Sequence, residues 1–222
     1  MTESRVSATQ QRGMVTPEPQ APPAAAAADI GVADPAPLGL AGFAMTTFVL
    51  SVFNAGILPT TLEATTLGLA LFYGGIAQVL AGMWEFRKGN TFGALAFTSY
   101  GAFWLSFWYY VTSVLPTLPA GDAHRATGVF LLAWTIFTAY MTVASLRTTG
   151  IVVTVLVALT ATFLVLTIAA FAGSSGMTKV GGYLGLLTAL LAWYASFAGV
   201  TNATFKRTVL PTWPLTEVAV RP

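Results

Sequence analysis

Two carboxamides, Asn54 and Gln78, stand inside long uncharged stretches of this 222-residue sequence and are its most informative chemical groups. An amide without a partner in an apolar setting is costly, so each must face another helix or water. Further neutral hydrogen-bonding groups accompany them: Thr46, Thr47, Ser51, Tyr73, Thr98, Ser99, Tyr100 and Thr160. Such a set has two uses. It can hold helices together, or it can line a hydrated path and offer N–H and O–H donors to a small anion. Glu85 closes one uncharged stretch beside Arg87 and Lys88, where it is either paired or solvated, or handles a proton or substrate. His124, the one histidine, lies in a turn-rich segment with Pro116, Pro119 and Gly121, as a solvated side chain or a pH sensor. No Ser/His/Asp set, carboxylate pair, metal-ligand cluster or phosphate-cradling glycine loop occurs in the stretches or between them, so the chain is not expected to be an enzyme or to carry a metal or cofactor.

The elements that position these groups follow from composition. Charged residues make up 8% of the chain and hydrophobic residues 55%, where a soluble domain carries about 25% charged. So few charges cannot cover a soluble fold without leaving large apolar patches, and lipid is the solvent that fits. The net charge of +2 is small and the basic residues are scattered, which gives nucleic-acid binding no support. The lack of cysteine removes disulfides and thiolate sites without naming a compartment.

Six stretches hold no Asp, Glu, Lys, Arg or His: Pro35–Leu62, Ala64–Trp84, Gly89–Gly121, Ala126–Leu146, Thr148–Thr178 and Val180–Phe205. All reach the length of about 20 residues that a helix needs to cross the hydrocarbon core. Runs such as Ile151–Leu159 do not alternate in polarity, which argues against a β-barrel. The expected fold is an all-α membrane protein with six transmembrane helices near 36–57, 64–84, 92–113, 127–146, 150–172 and 180–203. With the N-terminus inside, Arg5, Arg12, Arg87, Lys88, Arg147, Lys206, Arg207 and Arg221 fall on the inner side and only Arg125 and Lys179 outside, so both termini are expected in the cytoplasm. Residues 1–33, rich in Pro, Ala, Gln and Thr, read as a disordered cytoplasmic tail, 34–212 as the transport-sized helical domain, and 213–222 as a C-terminal tail. Ala24–Ala28 is too short for a signal-peptide core. Small residues at four-residue spacing, Ala70, Gly74, Gln78 and Gly82 in the second helix and Gly181, Gly185 and Ala189 in the sixth, suit close helix contact.

The segment Asp34-Pro35-Ala36-Pro37-Leu38-Gly39-Leu40 resembles the signature Asn-Pro-Ala-Pro-Leu-Gly-Leu that opens the first helix of the acetate uptake transporter family, the bacterial succinate–acetate permeases and their fungal acetate and ammonia relatives. Gly42 to Thr47, Phe72-Tyr73-Gly74-Gly75-Ile76-Ala77-Gln78, Lys88-Gly89-Asn90-Thr91-Phe92-Gly93, Phe97-Thr98-Ser99-Tyr100-Gly101 and Arg207-Thr208-Val209-Leu210-Pro211 continue the resemblance in order, over roughly residues 34–212. It implies a ring-shaped homohexamer in the inner membrane with one pore per protomer, narrowed by an aromatic–aliphatic constriction of Phe43, Tyr100 and Leu159. In the six-helix topology these three lie about seven to nine residues into helices 1, 3 and 5, which share a direction, so their depths agree within a few ångströms. The signature residues Asp34, Pro35, Pro37, Leu38 and Gly39 then mark the cytoplasmic mouth. Asp34 replaces Asn there. It keeps the helix-capping capacity with Pro35 at the first helical position, and adds a negative charge that should weaken anion affinity.

The implied function is passage of acetate and similar small monocarboxylates, succinate among the larger candidates. Thr46, Thr47, Asn54, Tyr73, Gln78, Ser99 and Thr160 would form the polar lining, and Glu85 would be the group placed to handle a proton or substrate. Two alternatives stay open: a pore for ammonia or another small neutral solute, and a membrane scaffold that transports nothing. Whether passage is passive or proton-coupled also stays open.

Overall fold

The computed structural model describes residues 31–215, and among them the regular elements are helical. Six rods follow one another: α1 Ala36–Asn54, α2 Thr65–Lys88, α3 Thr91–Tyr109, α4 Ala123–Ser145, α5 Gly150–Ala172 and α6 Ser175–Phe205. Five of them, all but α3, are long and apolar enough to cross a membrane. The polar and aromatic residues of α3, among them Thr98, Ser99, Tyr100 and Trp104, lower its hydropathy, and several of these turn into the protein. A π turn, Tyr110–Val114, lengthens it. The expected tail at 1–33 falls almost wholly outside the described residues, as do 216–222, with Arg5, Arg12 and Arg221.

Boundaries follow local chemistry. The turn Lys88-Gly89-Asn90 ends α2 and starts α3 within two residues. Gly89 takes φ 78°, its N–H donates to Phe86 O at 3.1 Å, and the Asn90 N–H donates to Glu85 O at 3.0 Å, a left-handed C-terminal cap. Asn90 Oδ1 then accepts the Gly93 N–H at 3.1 Å and caps α3. The first helix stops at Asn54, earlier than the expected residue 57, because the chain turns at Gly56 with φ 72°. The last begins earlier than expected: Ser174 Oγ accepts the Met177 N–H at 3.3 Å and caps a helix of 31 residues. Lys179 therefore stands on α6 rather than in a loop, and His124 likewise lies in the first turn of α4.

One feature of α2 had no counterpart in the periodicity. Phe72–Ala77 widens into a π turn, and this is the Phe-Tyr-Gly-Gly-Ile-Ala segment. The glycines admit the close contact: a Cβ on Gly42 of α1 would lie 2.6 Å from the Tyr73 carbonyl oxygen, and one on Gly74 would lie 2.5 Å from Thr46 Oγ1. The second helix thus lies against α1 at its π turn and against α3 through Gly82, whose Cβ would fall 2.5 Å from the Thr98 nitrogen.

The small residues of α6 divide between two neighbours. Gly181 takes the Leu166 side chain of α5, while Gly182 and Gly185 accept α1 at Asn54, Ala55 and Ser51. Helix α5 lies between α4 and α6, tied by hydroxyl pairs: Thr135 with Thr167 at 2.9 Å, Thr142 with Thr160 at 2.8 Å and Thr162 with Thr188 at 3.2 Å. Each such pair contributes roughly 0.6 kcal/mol in a bilayer. The seam between α3 and α4 differs. Its backbones stay apart and aromatic rings bridge it, Phe103 meeting Phe130 at 5.8 Å and Trp134 at 5.2 Å, with Tyr110 stacked on Phe130 at 5.3 Å.

After α6 the chain doubles back. Asn202 holds it with three bonds, accepting the Val209 and Leu210 N–H groups at 2.7 and 2.9 Å and donating to Leu210 O at 2.8 Å. Tyr194 donates to Pro211 O at 2.8 Å. Trp213 O accepts the Gly150 N–H at 2.7 Å, and the Leu215 N–H donates to Thr148 O at 2.9 Å. Residues 213–215 are therefore bonded to the start of α5. The Arg207–Pro211 segment owes its place to this return.

Candidate functional site

Among the described residues, a pair of neighbouring cavities lies between the helices. The larger, about 390 Å³, is lined from α1, α3, α4, α5 and the first residues of α6. The smaller, about 170 Å³, lies toward the end where α1 begins and α5 starts, lined by Ala36, Asn90, Thr148 and Thr149 among others. Only two residues belong to both walls, Phe43 and Leu159, and Tyr100 lines the smaller cavity beside them. All three side chains are at most 4% exposed.

Their positions are fixed by neighbours. The rings of Phe43 and Tyr100 lie 5.7 Å apart and tilted, and Phe137 meets the Tyr100 ring edge-on at 5.3 Å. The Tyr100 hydroxyl donates to Thr138 Oγ1 at 3.2 Å. The phenol is thus held between α1 and α4 with its one donor used. Thr138, one of several threonines in α4 with no motif to mark it, is the residue that anchors it.

The expected polar lining separates into two groups. Thr47 and Asn54 line the larger cavity and Gln78 the smaller. Among the described residues, Thr47 Oγ1 and Gln78 Oε1 are buried without a hydrogen-bond partner, which leaves both free for an occupant. Thr46, Tyr73, Ser99 and Thr160 line neither cavity. Thr46 Oγ1 donates to Gly42 O at 2.9 Å beneath the π turn, and Thr160 pairs with Thr142 and with Leu156 O at 2.8 Å each. These two hydroxyls are spent on helix packing. A stripe of α1 explains the first group: Phe43, Thr47, Leu50, Ser51 and Asn54 recur at helical spacing on one face and all line the larger cavity. Ser51, one of the neutral hydrogen-bonding groups singled out in the sequence, joins the lining by that spacing. Sequence reasoning missed Trp104, whose buried Nε1 has no partner among the described residues, and Glu63, which sits on the larger cavity's wall together with His124.

The signature residues act by packing. Pro35 is the N-cap of α1, one position later than expected, and Asp34 Oδ1 accepts the Ala36 N–H at 3.1 Å. The same oxygen accepts Lys88 Nζ at 2.7 Å, so the charge introduced by Asp34 is countered from α2. The pair is about 40% exposed on each side and contributes at most about 1 kcal/mol. Pro37 O accepts Ser196 Oγ at 2.6 Å, and a Cβ on Gly39 would fall 2.5 Å from the Phe97 ring. Leu38 points outward. Their neighbours Ala36 and Leu40 reach the smaller cavity.

Glu85 is neither solvated nor paired with Arg87 or Lys88. It is fully buried, Oε2 accepts Asn90 Nδ2 at 2.8 Å, and Oε1 has no partner. Gly93 lies against it, since a Cβ there would be 2.7 Å from the Glu85 carboxyl carbon. Asn90 and Gly93 both line the smaller cavity, so the carboxyl lies just behind its wall.

Residues 15–217 match the GPR1/FUN34/yaaH family. The chain belongs to this family. Among its relatives, the succinate-acetate/proton symporter SatP of Escherichia coli is 42% identical over 182 residues, covering 81% of this chain and 95% of that protein. The ammonia transport outward protein 2 of Saccharomyces cerevisiae is 43% identical over 176 residues, covering 77% of this chain, which spans 62% of the yeast protein's length. The acetate permease A of Emericella nidulans is 40% identical over 194 residues, 81% of this chain and 65% of that one. The solved structure of the bacterial acetate channel SatP superposes with a TM-score of 0.76 at 40% identity, covering 82% of this chain and 99% of that one. For this family member, the six rods form a multi-pass membrane fold similar to that channel's.

Proposed function

We propose that the chain is a membrane channel or transporter for acetate and similar small monocarboxylates, with Phe43, Tyr100 and Leu159 as its constriction. The observation that carries this is the pair of cavities whose walls share only Phe43 and Leu159. A solute travelling between them must pass those side chains. Desolvating an anion there is expensive, and an apolar constriction can gate by dewetting. A monocarboxylate lowers that cost in two ways. Its methyl group meets Phe43 and Leu159, and its carboxylate exchanges water for donors such as the free Thr47 hydroxyl and the Asn54 and Gln78 amides. Glu85, buried behind the smaller cavity, is the group placed to hold a proton during passage.

Basic residues support an orientation in the plasma (bacterial inner) membrane. Arg87, Lys88, Arg147, Lys206 and Arg207 stand at the end where α1 begins, and Arg125 and Lys179 at the other, so the smaller cavity opens to the cytoplasm. The outward face of α2, with Phe72, Leu80, Trp84 and Phe86 exposed, is available to lipid or to the neighbouring copies of a hexameric ring. The native mass of the detergent-solubilised assembly should equal six chains; a monomer mass excludes the ring.

Purified protein in liposomes should carry radiolabelled acetate inward at a rate well above protein-free vesicles. Comparing flux with and without an imposed proton gradient separates a channel from a symporter. A constriction without formal charge would also pass a neutral solute, and the similarity to a yeast ammonia transport protein favours testing ammonium in the same vesicles. Ammonia flux without acetate flux replaces the carboxylate by the neutral permeant, and the absence of both leaves the scaffold.

A further inference from the structure

The walls of the two cavities carry one acid, Glu63, and it faces the larger cavity from the segment between α1 and α2. For a path that takes anions, an acid on the wall is a liability unless it does something useful. Its surroundings are known. On the same wall the other titratable side chains are His124 from α4 and Tyr110 from the π turn after α3, while α1, α5 and α6 contribute only uncharged residues. Lys179 of α6 lies against Gly56, and Asp122 and Arg125 pair with each other at 3.5 Å. The Glu63 side chain has no ion pair or hydrogen bond of its own among the described residues, so no partner there neutralises its charge.

We propose that Glu63 is a charge-selectivity residue of the larger cavity, turning doubly charged anions away more strongly than singly charged ones. This rests on the transport function proposed above. Coulomb repulsion is proportional to the ligand's charge, so the occupancy penalty for a dianion is the square of that for a monoanion at the same position. A fixed negative charge therefore favours monocarboxylates over dicarboxylates before either reaches Phe43 and Leu159. The filter acts on charge, whereas the constriction acts on size. Burial raises the Glu63 carboxyl above the usual carboxylate range, so the filter relaxes at a milder acidity than an exposed glutamate would allow.

The test is competition in liposomes holding the full chain, because a competitor needs only to enter the cavity and not to cross. Acetate influx is measured against external oxalate, a small dianion, and external propionate, a monoanion, for wild type, Glu63→Gln and Glu63→Asp. In Glu63→Gln the oxalate concentration that halves acetate influx should fall several-fold further than the corresponding propionate concentration, on the order of the factor one screened unit charge imposes at close range. Glu63→Asp should keep the wild-type ratio. Lowering the pH should bring the wild-type ratio toward that of Glu63→Gln measured at the same pH. If both competitors change equally in Glu63→Gln, or if Asp behaves as Gln does, the charge filter is wrong while acetate transport stands. Wild-type vesicles that carry no acetate would overturn the transport function and this inference together.

Discussion

Replacing Leu159 by Ala should let lactate and similarly enlarged acids into vesicles at about tenfold the wild-type rate, while acetate influx changes by less than about threefold. Leu159 is 3% exposed and is one of the two residues on both cavity walls. Opposite it, the Phe43–Tyr100 pair is held by Phe137 and Thr138 and has little freedom to follow a shrinking neighbour. Truncation therefore opens space that the rings do not refill. A single methylene in an apolar passage is worth about 10- to 200-fold in discrimination, and Leu→Ala removes more than one. The substitution also costs stability, about 2–5 kcal/mol for a core leucine, nearer the lower bound here because the side chain borders empty space on two sides. Leu156→Ala is the comparison. Leu156 lines only the smaller cavity, so its loss should enlarge that cavity at similar cost and leave the lactate-to-acetate ratio alone. Assembled Leu159→Ala protein with wild-type discrimination, or an equal effect in Leu156→Ala, would remove Leu159 from the constriction.

What could be read from the sequence, and what could not, divides along a physical line. Helix number and approximate extent follow from the spacing of charges, since a bilayer excludes them, and five rods meet that expectation while α3 escapes it through its aromatic and hydroxyl content. The faces of the helices are harder. In a soluble helix polarity marks the outside, but α5 is apolar all round, so lipid and protein neighbours leave no pattern that would tell Leu159 from Leu164. Hydroxyls suffer the same ambiguity. Thr46 and Thr47 are adjacent and chemically identical, yet one is bonded beneath the π turn and the other is free on the cavity wall. Glu63 shows a different failure. It interrupts two uncharged stretches, which makes it useful for counting helices and easy to overlook as part of a site. The π turn was hidden because a five-residue hydrogen-bond step leaves no signature in side-chain periodicity.

Gly182→Leu should abolish both assembled protein and acetate flux, the largest effect expected of any single glycine substitution here. A Cβ at this position would collide with the Ala55 backbone and lie 2.5 Å from the Asn54 carbonyl carbon. At Gly128 or Gly181 the obstacle is a side chain that can rotate away; at Gly182 it is main chain on both counts. Overpacking of a core costs about 1–3 kcal/mol when neighbours yield, and more when they cannot. The obstructed contact joins α1 to α6 at the end of the stripe that carries Ser51 and Asn54, so forcing the helices apart would also break the larger cavity's wall. Gly68→Leu is the control. No atom lies within 4 Å of a Cβ there, and a leucine should be accommodated with unchanged melting in detergent and unchanged flux. The contrast separates close approach from a general dislike of side chains at helical glycines, because both positions lie inside helices that cross the membrane. If Gly182→Leu melts and transports as wild type does, α1 and α6 have room between them that the packing excludes. The wall formed by α1 would then need another support.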